Sequence, residues 1–279
     1  MYICPKCSTA LSLCGNSYKC VSGHSYDVSA SGYVNLLLGS KRGVHGDNKE
    51  MITARREFLR LGHYFPIVAT LSSIIEQSKK TDIRILDAGC GEGYYTAALK
   101  KALSDHGINA EIYAIDVSKD AVMLASKSHK DISFSVASIN ALPFRDRTFD
   151  YVLSLFAPLC EEEFSRVLTS DGVLITVSPS ENHLFGLKAA IYDTPYKNPP
   201  STFENKILHK TSEISDEWEI TLDRQEDIEN LFKMTPYYYN TGAKGVEKAC
   251  SLTSLTTVIG FAYGVYKNRD VSENRFKCF

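Results

Sequence analysis

The sequence lacks both a secretory signal and a hydrophobic segment long enough to cross a membrane. Its longest apolar run near the C-terminus, residues 256–266, contains two glycines and is about half as long as a transmembrane helix. Near the N-terminus, Cys4-Pro5-Lys6-Cys7 occupies the place where a signal peptide would have its hydrophobic core. The sequence therefore predicts a cytoplasmic protein whose cysteines stay reduced.

A strong net charge is also missing, because 31 Lys and Arg residues oppose 33 Asp and Glu residues, for a net charge of −2. The overall charge thus gives no indication of a nucleic-acid partner. Its distribution is less even, since residues 1–62 hold eight of the basic residues and only four of the acidic ones. A phosphate-contacting surface and an ordinary solvated surface explain this local excess about equally well.

The first motif in the sequence is two close pairs of residues that can bind zinc: Cys4, Cys7, Cys20 and His24. Cysteine thiolates and imidazole at this spacing are typical of a structural zinc site. Between the pairs, residues 11–13 and 17–19 predict a hairpin with Cys14 at its turn, away from the metal. A degenerate ribbon without metal is the alternative. We predict one structural zinc, because a module of about forty residues buries too little core to fold unaided.

From residue 82 onward, short apolar strands alternate with helical patterns. The predicted strands lie at 83–87, 110–115, 132–136, 149–155 and 172–177, and the predicted helices lie at 94–103, 121–128 and 161–168. This alternation predicts an α/β, Rossmann-like fold with a doubly wound, mostly parallel sheet. A ligand is expected across the carboxyl ends of the first strands.

A glycine-rich loop, Asp87-Ala88-Gly89-Cys90-Gly91-Glu92-Gly93, follows the first of these strands. Its G-x-G-x-G pattern differs from the G-x-G-x-x-G of dinucleotide-binding proteins. The carboxylate of Asp87 would repel a pyrophosphate but suits the cationic amino-acid end of S-adenosylmethionine. Asp116 ends the second strand, where it can accept hydrogen bonds from both ribose hydroxyls. Together with Leu142-Pro143-Phe144 and Phe149-Asp150, the loop predicts a class I S-adenosylmethionine-dependent methyltransferase.

With these motifs the chain resembles, nearly end to end, the RlmA-type guanine-N1 methyltransferases of large-subunit ribosomal RNA. Two shared segments are specific, because methyltransferases in general lack them: Gly32-Tyr33-Val34-Asn35-Leu36-Leu37 and Gly62-His63-Tyr64. The other shared segments are Cys4-Pro5-Lys6-Cys7, residues 20–24, Ala54-Arg55-Arg56, residues 87–95, Leu142-Pro143-Phe144, Ala157-Pro158, His183-Leu184 and Met234-Thr235-Pro236.

The resemblance implies a substrate, which is one guanine in the hairpin-35 loop of domain II of 23S rRNA, as free RNA or as a large-subunit precursor. The residues implied at the S-adenosylmethionine pocket are Tyr64, Gly91, Glu92 and His183. Those implied at the zinc are Cys4, Cys7, Cys20 and His24. The family has two branches that methylate different nearby guanines, and one branch is associated with macrolide resistance. The character of the sequence favours the Gram-positive branch, and its oligomeric state stays open, a homodimer included.

These features divide the chain into three parts. A zinc-binding RNA-recognition module is expected at 1–40, a linker with connecting helices at 41–80, and the methyltransferase domain at 81–279. In the middle part, residues 40–48 predict a flexible linker that orders on RNA, and residues 51–61 and 67–75 predict helices. Arg55, Arg56 and Arg60 are candidate phosphate contacts, although a solvated helix face explains them almost as well.

Guanine N1 carries a proton at neutral pH, so its methylation requires a proton acceptor. The candidates by chain position are Asp146, Asp150, Glu161 and His183. None of them is assigned, because each has an ordinary structural explanation. A base in an RNA loop also suits extrusion into a pocket with aromatic walls. Tyr94, Tyr95, Phe156 and residues 237–239 are candidates, with core packing as the competing explanation.

Two other functions remain open. A small-molecule methyltransferase of the quinone or sterol type shares the Leu-Pro-Phe and Phe-Asp signals, but the zinc module argues against it. A non-enzymatic RNA-binding protein would keep the fold without catalysis, and the intact glycine loop argues against that. Pyrimidine-C5 chemistry is unsupported, because Cys160 is displaced from the nucleophile position. Adenine-N6 chemistry is also unsupported, because Asn198-Pro199-Pro200 comes about forty residues too late and is expected to be only a loop.

Overall fold

A computed structural model of the chain describes residues 1–39, 48–199 and 206–269, so most of the predicted linker at 40–48 lies outside the described residues. The strands are β1 (Ser12–Cys14), β2 (Ser17–Lys19), β3 (Ser25–Asp27), β4 (Val34–Asn35), β5 (Asp82–Ala88), β6 (Asn109–Asp116), β7 (Ser133–Val136), β8 (Phe149–Leu155), β9 (Leu168–Pro179), β10 (Leu208–Leu222) and β11 (Leu255–Asn268). The helices are α1 (Lys49–Leu59), α2 (Pro66–Glu76), α3 (Tyr94–Asp105), α4 (Lys119–Ser128), α5 (Glu161–Val167), α6 (Phe185–Ile191), α7 (Gln225–Lys233), α8 (Pro236–Asn240) and α9 (Ala243–Cys250).

One mixed sheet of eight strands forms the centre of the protein, in the order β10-β11-β9-β8-β5-β6-β7-β4. Neighbouring strands from β9 to β4 are parallel, whereas β11 runs antiparallel to both β9 and β10. The predicted doubly wound, mostly parallel sheet is confirmed. Strands β5 to β8 lie within one residue of their predicted ends, and β9 extends beyond the predicted 172–177 in both directions.

The sheet has a hydrophobic core on each face. Successive residues of β5 alternate between the two, with Ile85 in one core and Leu86 in the other. Helices α1 to α4, α6 and α7 pack into the first core, and α5 packs into the second together with residues of the N-terminal module. Because both faces are covered, the central strands read as nearly continuous apolar runs, which explains why their positions were predictable.

The connecting helices are confirmed with shifted ends. Helix α1 begins at Lys49 rather than 51, because the Asn48 side chain caps it by accepting a hydrogen bond from the Met51 amide at 2.9 Å. Helix α4 begins at Lys119 rather than 121, because Ser118 caps it in the same way. The cap residues therefore set where the helices begin, two residues before the apolar pattern becomes visible.

The N-terminal module is built into the eight-stranded sheet, which the sequence did not indicate. Strands β1, β2 and β3 form a small antiparallel sheet, and the predicted hairpin of β1 and β2 is confirmed. Strand β4 then pairs with β7 of the large sheet, with Val34 opposite Ser135 and Asn35 opposite Val136. The edge of β7 is thus covered by the zinc module.

A second junction lies at Leu142-Pro143-Phe144. The Ile3 amide donates a hydrogen bond to the Pro143 carbonyl at 2.9 Å, and the rings of Tyr2 and Phe144 stack with centroids 5.2 Å apart. Tyr2 is only 3% exposed. The Arg166 guanidinium holds this turn by donating to the carbonyls of Phe144 and Leu142 at 2.8 and 3.0 Å. The Leu-Pro-Phe motif therefore also serves as the docking surface for the first residues of the chain.

The apolar run at 256–266 belongs to β11, which lies between β9 and β10. This position buries Ile259, Phe261 and Tyr263 completely. Its long partner β10 carries several charged residues at the sheet edge, and such residues protect an edge strand from unwanted pairing. Among the described residues, none of the helices combines the length and the apolar character needed to span a bilayer.

Candidate active site and zinc site

The structure brings together the four predicted zinc ligands. Their ligand atoms all lie within 4.8 Å of one another. His24 Nδ1 is 3.4 Å from both Cys4 Sγ and Cys20 Sγ, and Cys7 Sγ is 3.7 Å from Cys20 Sγ. A tetrahedral zinc with ordinary bond lengths would separate two sulfurs by about 3.8 Å and a sulfur from a nitrogen by about 3.5 Å. The cluster therefore fits one structural zinc.

Hydroxyl groups lie beside two cysteines of this cluster. Tyr26 OH lies 3.3 Å from Cys4 Sγ, and Thr9 Oγ1 lies 3.2 Å from Cys7 Sγ. The Thr9 hydroxyl lowers the pKa of the Cys7 thiol to about 5. Cys14 lies at the exposed end of β1, outside the cluster, as predicted.

A cavity of about 760 Å³ lies where the parallel strands end, as the fold predicts. The predicted cofactor residues that line it are Tyr64, Asp87, Gly89, Gly91, Glu92, Asp116 and His183. Gly93 lies behind the loop instead. It begins α3 with φ +84°, and a Cβ at this position would come within 3.1 Å of Ala125 and 3.2 Å of Phe134. Gly93 thus permits helix packing rather than contact with a ligand.

Asp87 lines this cavity and carries a buried, unsatisfied acceptor. The residue is 2% exposed, and its Oδ2 accepts a hydrogen bond from Thr96 Oγ1 at 2.5 Å. Its Oδ1 is buried and has no hydrogen-bond partner among the described residues. Burial raises the pKa of this carboxyl group to about 6. A buried acceptor without a donor suits a cationic ammonium group, so the site fits the amino-acid end of S-adenosylmethionine.

Asp116 and Gly89 fix the two loops that border the cofactor cavity. Asp116 accepts hydrogen bonds from the Gly91 amide at 2.9 Å and from the Ser118 amide at 2.8 Å, so one carboxylate holds the glycine loop and the start of α4.

Gly89 has φ +100°, and a Cβ there would lie 2.6 Å from the Cβ of Ala157. The loops that follow β5 and β8 are therefore in direct contact, which only glycine at position 89 permits.

Tyr64 and His183 form a buried pair in the cavity wall. Gly260 N–H donates to His183 Nδ1 at 3.2 Å, so the proton of the neutral ring lies on Nε2. His183 Nε2 then donates to the Tyr64 hydroxyl at 3.2 Å, which leaves the hydrogen of that hydroxyl for another acceptor. Burial lowers the pKa of His183 to about 3. The ring is therefore neutral with both nitrogens engaged, and this argues against His183 as the proton acceptor.

The other three candidate proton acceptors lie outside the cavity. Asp146 has a side chain 73% exposed and pairs with Arg166. Asp150 lies near the start of β8, at the opposite end of the sheet, where it accepts a hydrogen bond from Lys80 at 2.6 Å. Glu161 accepts hydrogen bonds from the amides that precede and begin β10. All three have structural roles at these positions.

Sequence reasoning did not identify the role of Asn198 beside this site. Its Nδ2 donates to the carbonyls of Ser180 and His183 at 2.8 and 3.0 Å, and its Oδ1 accepts from Lys188 Nζ at 2.6 Å and from Tyr237 OH at 2.9 Å. Lys188 is 0% exposed. One amide thus ties the loop that carries His183 to Tyr237 across the cavity, although the sequence suggested only an ordinary loop.

The predicted aromatic candidates divide into two groups. Tyr94, Tyr95, Phe156 and Tyr237 line the cavity, whereas Tyr238 and Tyr239 do not. Tyr238 packs edge-to-face on Phe232. Tyr239 accepts a hydrogen bond from Asn48 at 2.8 Å. The cavity therefore has an aromatic half besides the half formed by the glycine loop.

The three arginines of α1 and its end also differ in their surroundings. Arg55 lines the cavity and donates to the Met234 carbonyl at 3.4 Å. Arg56 lies 3.6 Å from Glu92, whose pKa is raised by burial. Arg60 pairs with Glu57 on the exposed side at 2.8 Å. Helix α1 thus contributes Arg55 to the wall of the cavity, and phosphate contact by the three arginines stays a prediction.

Two family models match the chain. A model described as "RlmA, N-terminal" matches the zinc ribbon at residues 2–41, and a methyltransferase-domain model matches residues 79–234. The first covers the zinc cluster, and the second covers strands β5 to β10 and most of the residues that line the cavity.

Three relatives help to place the chain. A Bacillus subtilis protein assigned by its name to the 23S rRNA (guanine-N1)-methyltransferases is 36% identical over 85% of this chain and 86% of its own length. A 23S rRNA (guanine(748)-N1)-methyltransferase of Streptomyces fradiae is 32% identical over 67% of this chain and 66% of its own. A demethylmenaquinone methyltransferase of Bacillus licheniformis is 32% identical, but over only 37% of this chain and 47% of its own.

Proposed function

This chain belongs to the 23S rRNA (guanine-N1)-methyltransferase family with an RlmA-type zinc ribbon, and we propose that it transfers a methyl group from S-adenosylmethionine to N1 of one guanine in 23S rRNA. One observation carries the proposal. The zinc ribbon of this family is joined through β4 to β7, and the cavity at the ends of the same parallel strands is lined by Asp87, whose buried Oδ1 has no hydrogen-bond partner among the described residues. The candidate cofactor site and the family-specific zinc ribbon therefore share one sheet.

The residues of this chain have distinct tasks in the proposed reaction. S-adenosylmethionine, when bound, supplies a methyl group that is already activated on a sulfonium. Asp87 would accept hydrogen bonds from its ammonium group, and Asp116 would accept them from its ribose hydroxyls, because Asp116 borders the cavity at the end of β6. Gly89 and Gly91 keep the glycine loop close to the ligand. Much of the rate then depends on positioning N1 in line with the methyl group.

The finer substrate follows from the family resemblance. We propose the hairpin-35 loop of domain II as the target, because an unpaired guanine can be extruded into the aromatic half of the cavity. A cytoplasmic location accompanies this proposal, since ribosome assembly takes place there. The Streptomyces fradiae relative is named for guanine 748, and the position modified by this chain is an outcome of the mapping experiment below.

The small-molecule alternative has weaker support. The quinone-type relative shares about a third of this chain, and that share leaves most of the chain unmatched. In addition, a quinone methyltransferase would need neither a zinc ribbon nor exposed lysines upon it. Demethylmenaquinone is therefore kept as the second acceptor in the assay rather than as a second proposal.

The decisive test is methylation of RNA. Purified protein is incubated with tritiated S-adenosylmethionine and one of three acceptors: naked unmodified 23S rRNA, large-subunit precursor particles, or demethylmenaquinone. Reverse-transcriptase stops are then mapped on the RNA. Methylation at N1 blocks base pairing, so we expect label in the RNA and one new strong stop in the hairpin-35 loop. Label in demethylmenaquinone and in no RNA would refute the proposal. The same preparation, examined by light scattering, distinguishes a monomer from a homodimer.

Point variants test RNA recognition better than removal of the module does. Deleting residues 1–40 would uncover the edge of β7 and remove Tyr2, Val34 and Leu36 from the shared core. The exposed Lys6 and Lys19 can be changed without disturbing that core. We expect Lys6→Glu with Lys19→Glu to raise the KM for RNA roughly tenfold and to leave the affinity for S-adenosylmethionine unchanged. The matched control is Lys244→Glu on α9, which should leave both unchanged.

A further inference from the structure

Phe156, the residue after β8, combines two features that core packing does not explain. Its side chain is large and apolar, yet the residue is 43% exposed. Its backbone is left-handed, with φ +55°, a conformation that is unfavourable for a bulky side chain. A hydrogen bond from the Phe156 amide to the Val177 carbonyl at 2.9 Å holds this turn in place. Such strain at an exposed aromatic residue suggests a task for the ring.

The position of Phe156 is fixed relative to the glycine loop. The next residue, Ala157, occupies the space that a Cβ at Gly89 would need, at 2.6 Å. Both residues line the same cavity as Asp87. Phe156 therefore lies one residue from the contact between the loops that follow β5 and β8, beside the place where a methyl donor would be held.

The Phe156 ring is braced on the protein side. Its centroid is 6.1 Å from that of Tyr95 and 5.3 Å from that of Phe261. Phe261 is completely buried and lies 5.0 Å from both Tyr64 and His183. The braces limit the movement of the Phe156 ring, while its exposed part borders the cavity.

We propose that Phe156 is the platform on which the target guanine stacks when it is extruded from the RNA. This inference rests on the proposed function and deepens it, because it names the residue that would contact the acceptor base. A planar purine stacks favourably on an aromatic ring, and a rigid ring would hold N1 at a fixed distance from the methyl donor. The left-handed backbone is tolerated because it orients the ring toward the cavity instead of the core.

The test compares Phe156→Leu, which keeps an apolar side chain but removes the aromatic ring, with Phe156→Trp, which keeps an aromatic surface. The kinetic constants for 23S rRNA and the Kd for S-adenosylmethionine are measured for both. We expect Phe156→Leu to lower kcat/KM for RNA roughly 5- to 150-fold, the range for loss of one base–aromatic stack. Phe156→Trp should stay close to the wild type, and the Kd for S-adenosylmethionine should change less than twofold in both variants.

Two further variants keep the test decisive. Phe156→Asn replaces the ring with a side chain that tolerates the left-handed backbone, so this variant should fold at least as well as the wild type. It should show the same loss of kcat/KM for RNA as Phe156→Leu. Phe65→Leu is the matched control, because Phe65 is 53% exposed and does not line the cavity. Its RNA activity should equal that of the wild type.

Several results would overturn the inference. If Phe156→Leu and Phe156→Asn methylate RNA as well as the wild type, the ring does not support the base. If they lose S-adenosylmethionine binding in parallel with activity, Phe156 belongs to the cofactor site instead. Failure of the proposed function is distinguishable from both outcomes, because the wild-type protein itself would then produce no reverse-transcriptase stop.

Discussion

Replacing Asp87 with asparagine should make the protein more stable and its cofactor binding weaker. Asp87 is 2% exposed, one of its oxygens has no partner in the part of the chain that the structure describes, and burial raises its pKa from 3.8 to about 6. Asparagine keeps the shape of the side chain and its hydrogen bond from Thr96, but it has no charge to desolvate. The amide N–H takes the place of the O–H of the protonated acid, so the two neutral forms are closely alike.

The rise in the pKa of Asp87 sets the size of this gain in stability and its dependence on pH. A carboxyl group whose pKa rises from 3.8 to about 6 on folding costs about 3 kcal/mol in the free energy of unfolding at pH 7. Because the folded state holds the proton more tightly, the cost is absent below about pH 4 and fully present above about pH 6. Asp87→Asn should therefore be about 3 kcal/mol more stable than the wild type at pH 7, and this advantage should disappear as the pH falls from about 6 to about 4.

Urea denaturation of both proteins at about pH 7 and about pH 4.5, without cofactor, measures this difference. Titration calorimetry should also show that Asp87→Asn binds S-adenosylmethionine roughly 30-fold or more weakly, since an ammonium group loses its charged partner. Asp171→Asn is the matched control, because Asp171 is exposed. The reasoning fails if Asp87→Asn is less stable than the wild type at pH 7, or if its advantage does not depend on pH.

Three further predictions test the surroundings of the cavity. Gly89→Ala should lose about 2 kcal/mol more stability in urea than Gly107→Ala. Both glycines have positive φ, but of the two only Gly89 has a neighbour, Ala157, in the space that a Cβ would occupy. Equal losses would contradict the close approach of the two loops. Asn198→Ala should cost about 2–4 kcal/mol in urea and weaken S-adenosylmethionine binding, because it leaves the Lys188 ammonium and the Tyr237 hydroxyl without their shared acceptor. Unchanged stability would show that water replaces the amide. Chelation of zinc should lower the Tm of the whole chain in calorimetry, because β4 covers the edge of β7; a catalytic-domain Tm that ignores the chelator would contradict this coupling.

The predictable part of the fold is the part whose signal is local. Strands β5 to β8 are buried on both faces, so apolar runs reveal their ends within one residue. The zinc ligands were also predictable, because each pair is close in sequence and no long-range contact is needed to recognise it. By contrast, β10 is rich in charged residues, and its place at the sheet edge depends on β11, more than thirty residues later.

The unpredicted features depend on contacts between distant residues. The stacking of Tyr2 on Phe144 joins the first residues of the chain to a turn 142 positions later, and no periodic pattern encodes it. The network around Asn198 likewise exists only after Tyr237 and Lys188 have been brought beside it. One error was avoidable. Asp150 opens a parallel strand whose carboxyl end faces the ligand, so strand direction alone would have placed it far from the cavity.

The way in which the zinc module is attached bears on how one guanine could be selected. Asn35 of β4 pairs with Val136 of β7, and the next residue, Ala137, lines the cavity. The separation between the module and the cavity is therefore set by main-chain pairing within a sheet rather than by the length of a linker. On the proposed function, RNA held at Lys6 and Lys19 would present its loop to Phe156 at a nearly constant distance. A rigid spacing of this kind favours one nucleotide of a folded hairpin over its neighbours, because the others could reach the methyl donor only by distorting the RNA.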